Sequence, residues 1–201
     1  MSIRLKFASL WLPNFILKKE LDNVAKKTME GLDNLLDEYA SEKIETVIKS
    51  GEVLNGSIES RRSIMAMAHN RRVNLLIREL GCEKAVEIGR SAMFEVGLEL
   101  GKEARRKLGV GDNFKDLETA AGILYRILGI EFKIENKNRN SVMVVNRCFL
   151  SKYYSREACM ILSAADEGVV RGLNENMGMQ FKERITEGAH ECIACISEVK
   201  I

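Results

Sequence analysis

The residue types best suited to chemistry gather in the last third of the chain: Cys148, Cys159, Glu183, His190 and Cys192. Thiolate, imidazole and carboxylate are the ligand types of a tetrahedral zinc-like centre, and thiolates that bind metal have depressed pKa values. The spacing is Cys-x10-Cys followed much later by His-x-Cys, neither a finger nor a ribbon pattern. Cysteine is also a common small core residue. Spacing alone therefore leaves open both a metal or reactive-thiol centre and simple packing.

The elements that must position these groups can be read from periodicity. After Gly129 the apolar period changes from helical to two, and two hairpins flank a helix that spans roughly Ser155 to Asn176. The first hairpin joins Ile130–Glu135 to Ser141–Arg147 through a polar run. The second joins Met179–Thr186 to Ala189–Val199 through a tight turn at Glu187-Gly188. That turn sets a register in which Ile185 pairs with His190, Glu183 with Cys192 and Phe181 with Ala194. His190, Cys192, Ala194 and Ile196 then share the apolar, inward face with Glu183, Phe181 and Met179. The opposite face carries Cys195, Lys182 and Arg184, two charges that are costly to bury unpaired. A carboxylate on the inward face needs a ligand, a cation or a rim position, which assigns Glu183 a chemical role.

Upstream the pattern is helical. Leu17, Leu21, Val24, Thr28, Leu32, Leu35 and Tyr39 recur at three- and four-residue steps along a first long helix from about Phe15 to Lys49, with Gly31 and Ser41 as places to bend. A second helix opens at Ser57 and stops at Gly81. Its stripe includes His69, expected as a packing histidine, and Arg62. Arg62 either snorkels to an edge or acid, or offers a fork to a ligand carboxylate or phosphate. A third helix, about Glu83 to Leu108, carries Gly89, Gly97 and Gly101, small residues that let another backbone come close. Asp112 is the expected N-cap of a fourth, running through Leu128. The expected fold class is α+β: an N-terminal helical layer followed by a ββαββ module with a four-stranded antiparallel sheet, divided as 1-56 and 57-201.

Composition bounds the function classes. The formal charge is +2, from 31 basic and 29 acidic residues, so neither nucleic acid nor an anionic membrane is attracted in general. Five cysteines, an odd number, favour a reducing, cytoplasmic setting. Arg4 and Lys6 precede an apolar stretch that Pro13 interrupts, which makes a poor signal peptide. With Trp11 and Phe15 it reads as a packing or homodimer segment, residues 7–39 forming the interface, or as an interfacial anchor.

Four runs carry a resemblance: Cys148-Phe-Leu-Ser, Glu157-Ala-Cys159, Glu167-Gly168-Val-Val-Arg-Gly172-Leu and Glu187-Gly188-Ala-His-Glu-Cys192-Ile-Ala-Cys-Ile. Mainly over residues 115–199 the chain resembles the V4R (vinyl-4-reductase) domains and the L-2-amino-thiazoline-4-carboxylate hydrolase-like proteins. Their superfamily includes haem-dependent nitric-oxide sensors and Golgi transport subunits. The resemblance implies a helical layer beside a small antiparallel sheet, enclosing a small-molecule pocket. It aligns Cys148, Cys159 and Cys192 with the cysteines that mark these domains and could hold a metal. Phe149-Leu150 stands where the hydrolase-like proteins tend to have a proline, and His190 where an acidic residue is usual.

The leading expectation is thus a small-molecule-binding domain. Zinc or another transition metal sits at Cys148, Cys159, Cys192 and His190, and Arg62 and Phe181 touch the ligand. One alternative is a metal-dependent hydrolase of a small thiazoline or amide, with Glu183 as general base. The other is a dimeric interaction protein whose cysteines only pack.

Overall fold

A computed structural model of the chain describes residues 1–39, 54–137 and 140–199. Two helices open it, α1 (Ile3–Leu10) and α2 (Asn14–Tyr39). Three more follow: α3 (Ile58–Leu80), α4 (Cys82–Leu108) and α5 (Phe114–Leu128). The last third is β1 (Ile130–Lys137), β2 (Asn140–Cys148), α6 (Arg156–Leu173), β3 (Met177–Glu183) and β4 (Cys192–Glu198). The expected ββαββ module is therefore present, as a four-stranded sheet in the order β1-β2-β4-β3, antiparallel at every pairing.

Local chemistry accounts for the helix ends. Ser57 Oγ accepts from Ser60 N at 3.1 Å to start α3, and Gly81, at φ 78°, ends it. Ser155 caps α6 in the same way, its hydroxyl accepting from Ala158 N. At α5 the cap is Asn113, not the expected Asp112: Asn113 Oδ1 accepts from Asp116 N at 2.9 Å, while Asp112 is drawn out by an ion pair with Arg105.

α4 and α6 are in contact along much of their length, because four glycines face each other across them. A Cβ on Gly97 would overlap the carbonyl of Ala165, one on Gly101 that of Val169, one on Gly168 that of Phe94 and one on Gly172 that of Leu98. The close approach expected of the α4 glycines is thus met by an equal pair on α6, and two backbones touch. The interface takes up one side of α6. The other side faces the sheet.

α2 runs unbroken through Gly31, and the expected bend at Ser41 lies outside the described residues. Leu21, Ala25 and Leu32 are fully buried, in the same apolar clusters as side chains of α3, α4 and α6. The long helix therefore hides its stripe within its own chain, which removes the main ground for a dimer through it. What stays exposed is the segment ahead of it and its first turn: Ile3, Phe7, Leu10, Trp11 and Phe15 are each at least 70% accessible.

Candidate functional site

Between the inner sheet face and the helices lies a cavity of about 600 Å³. Phe132, Met143, Val145, Met179, Phe181 and Ile196 make its sheet wall, and Leu117, Leu124 and Leu128 of α5 close another side. Its mouth lies at α1 and the start of α2, where Phe7, Trp11 and Phe15 meet an ion-paired rim: Glu103 accepts from Lys27 at 2.6 Å and pairs with Lys107 at 2.8 Å. Those two lysines hold the Glu103 carboxyl down to about 2.

Two polar regions interrupt the apolar wall. The first is built by α2, α3 and the loop before α6. His69 is 1% exposed, with Thr28 Oγ1 at 2.9 Å from Nε2 and the Tyr154 hydroxyl at 2.8 Å from Nδ1. Burial, then the Arg72 charge, pushes its imidazole down to about 3, so it is neutral. The Thr28 proton goes to the Val24 carbonyl at 2.8 Å, as in many mid-helix threonines. On that basis we assign Nε2–H as donor to Thr28 and Tyr154 O–H as donor to Nδ1. His69 is satisfied at both nitrogens, the packing role expected for it.

The second region lies at the sheet end, where α6 presents Cys159, Ser163 and Asp166 to the cavity, one or two turns apart. Cys148, Cys192 and Arg184 face the same space. Burial drives all three thiols up, Cys148 to about 12 and Cys159 to about 11, so all are protonated at neutral pH. Cys192 Sγ also accepts from Ile185 N at 3.3 Å. The structure thus brings the three expected cysteines to one cavity and leaves Cys82 exposed at the start of α4.

The other expected partners are placed differently. Phe181 still pairs with Ala194 and Met179 with Ile196, but a bulge between Phe181 and Glu183 sets Glu183 opposite Ile193 instead of Cys192. Residues Ile185–Glu187 form a 3₁₀ turn, so the tight two-residue turn does not form and β4 starts only at Cys192. As a result Glu183 and His190 are exposed, correcting the inward face assigned to both. Arg184 turns inward in their place, 8% exposed. Its charge is met: Nη1 donates to Glu187 at 3.1 Å, Nε to Ser163 at 3.1 Å, and the guanidinium lies 5.3 Å from the Phe181 ring centroid. Pairing removed the cost that argued against burying this face.

With His190 outside, the expected set of three cysteines and a histidine is not assembled. Among the described residues no three His, Cys, Asp or Glu side chains are grouped to hold a metal ion. As folded, these side chains do not assemble the four-ligand zinc centre expected. Arg62 is also placed away from the cavity. Its Nε and Nη2 donate to the carbonyls of Ile127 and Arg126 at 2.8 and 2.7 Å, capping the C-terminus of α5.

Sequence reasoning missed Asp166. From Cys159 to Ala165 α6 carries no charge, and Ala164, Gly168 and Gly172 leave it buried on nearly every side. Asp166 follows this apolar stretch and is drawn partly out of water, and that signal was available in the sequence. Burial, then Glu167, pushes its carboxyl up to about 7, against the opposing pull of Arg184.

Comparison with known proteins agrees with this architecture. No curated protein sequence matches the chain. Among solved structures it is similar to trafficking protein particle complex subunit 3 from Naegleria fowleri, covalently bound to palmitic acid. The two are 17% identical with a TM-score of 0.56, over 69% of this chain and 95% of that one. Weaker likenesses are to the phenol-responsive sensory domain of the transcription activator PoxR with phenol (16% identity, TM-score 0.49, 84% and 89% covered) and to an H-NOX protein from S. oneidensis in the Fe(II)NO state (12%, 0.43, 87% and 98%). The family described as L-2-amino-thiazoline-4-carboxylic acid hydrolase matches residues 61–196, more than half of the sequence, so the chain belongs to that family.

Proposed function

We propose that this protein is a small-molecule-binding domain that encloses a compact, largely apolar ligand between its sheet and α5 and α6. The observation that carries the reading is the cavity itself, about 600 Å³ of mostly apolar wall in a chain of 201 residues. Close-packed interiors do not leave such space by accident, and the volume falls in the range of about 300–1,000 Å³ usual for ligand pockets. The trafficking subunit of similar fold, which carries palmitic acid, supports an apolar occupant. We place the protein in the cytoplasm, since all five cysteines are free, and the described residues include no helix long and apolar enough to cross a membrane. A second copy is the proposed cover for Phe7, Trp11 and Phe15 at the mouth.

The test is equilibrium titration of the full chain with toluene and with palmitic acid, beside a Leu124→Trp variant that fills the cavity from α5. Saturable binding that the variant loses supports the reading. Absence of saturable binding by either probe removes it.

Family membership favours a second reading, hydrolysis of a small thiazoline or amide. Asp166 would then take the general-base role expected of Glu183, because its carboxyl, raised to about 7, lines the cavity and Glu183 does not. Turnover of L-2-amino-thiazoline-4-carboxylic acid, abolished in Asp166→Asn, would establish it.

A further inference from the structure

The charges at the sheet end of the cavity leave one carboxylate unanswered. Arg184 is matched by Glu187 at 3.1 Å. Glu167, the neighbour of Asp166 in sequence, is matched by Arg90 at 2.8 Å and also accepts from Phe181 N at 3.3 Å. The other groups within electrostatic reach of Asp166 are Tyr125 on α5, Tyr154 ahead of α6, Cys159 on α6 and Cys192 on β4, all of them neutral when protonated. Among the described residues Asp166 itself has no hydrogen bond and no ion pair. Its side chain lines the cavity and is half-buried. A carboxylate in such surroundings is costly unless a cation or donor reaches it.

We propose that Asp166 is the recognition residue of this cavity and receives a cationic N–H donor of the ligand, so that the site selects compact apolar molecules bearing an amine or amidine. The proposal rests on the small-molecule-binding reading and adds the ligand's chemical class. An amidinium suits the position best, since its two parallel N–H groups match the two oxygens of a carboxylate and its body can remain apolar. An anionic ligand is disfavoured, because Arg184 already has its counter-charge. Tyr154 adds a polarity rule: its proton is committed to His69, so the hydroxyl oxygen offers the ligand only an acceptor. Both groups ask the ligand for hydrogen, and neither offers any.

Benzamidine and toluene share a ring and differ in the amidinium, which stays protonated over the relevant range. Isothermal titration of the wild-type chain and Asp166→Asn with each probe, at about pH 8 and about pH 5, separates the terms. The expected result is that benzamidine binds wild type about tenfold tighter than toluene at the higher pH. The advantage shrinks toward the lower pH, as the carboxyl of Asp166 takes up a proton. In Asp166→Asn benzamidine should lose the advantage at both pH values, while toluene binds as in wild type and reports an intact cavity. If benzamidine keeps its advantage in Asp166→Asn, or shows none over toluene in wild type, Asp166 is not the recognition residue and the binding reading stands on toluene alone. If neither probe binds wild type, both readings fall.

Discussion

His69, buried, and Asp166, half-buried, are titratable side chains in one cavity wall, yet they are opposites. His69 has a partner on each ring nitrogen, and its neutral form is the one the protein wants. Asp166 has no such partner among the described residues, and it too is pushed toward its neutral form. Burial acts on both in the same direction chemically, against charge, but the pH consequences have opposite sign. The folded state binds fewer protons at His69 than the unfolded chain does between pH 6.5 and about 3, so stability is lost as pH falls through that window. At Asp166 the folded state binds more protons between pH 3.8 and about 7, so stability is lost as pH rises through it. A saturated group builds the wall, and an open one marks where something else belongs.

Both regions depend on the glycine-to-glycine contact that holds α6 in place, and breaking it should have the largest effect. Gly97→Val drives two methyls into the Ala165 carbonyl, where backbone cannot yield. Urea unfolding followed by circular dichroism should show a loss of about 4 kcal/mol or more, or no folded protein at all.

The comparison is tested directly by pH. Between about pH 7 and about pH 4 the His69→Gln variant should lose less stability than wild type, by an amount on the order of 2–3 kcal/mol. Equal pH slopes for the two proteins would show that His69 does not stay neutral in the fold. Thr28→Val probes the saturated side by another route. It leaves the Nε2–H of His69 facing a methyl, at a cost of about 1–3 kcal/mol in unfolding free energy, read by urea unfolding at neutral pH.

On the open side the sign reverses. Asp166→Asn should stabilise the ligand-free protein at about pH 8 by roughly 1–2 kcal/mol and leave it unchanged near pH 4, a substitution that improves stability while removing a binding group. A destabilised Asn variant at the higher pH would mean that the carboxylate has a partner after all. The smallest effect expected is one of rate. Alkylation of the native chain should label Cys82 first and Cys195 next, with Cys148, Cys159 and Cys192 slow, because burial raises their pKa values and limits access. Rapid labelling of Cys192 ahead of Cys195 would contradict the strand parity that turns Cys192, Ala194 and Ile196 inward.

The helices, the two pairs of strands and the inward parity of β4 could be read in the chain, since each follows from a local period of apolar residues and from caps and turns only a few residues long. The gathering of Cys148, Cys159 and Cys192 followed from that topology. Which charges were buried did not. One extra residue in a bulge after Phe181 and one 3₁₀ turn at Ile185–Glu187 sent Glu183 and His190 to solvent and Arg184 inward. Such a choice turns on whether a buried charge finds a partner, and Glu187 and Ser163 could be seen as partners of Arg184 only in three dimensions. Arg62 shows the same limit, since its ligands are two carbonyls of a helix more than sixty residues away. Asp166 was visible as an acid at the end of the uncharged stretch from Cys159 to Ala165. That it faces the cavity was decided by packing, because only the assembled walls determine which polar groups are left without partners.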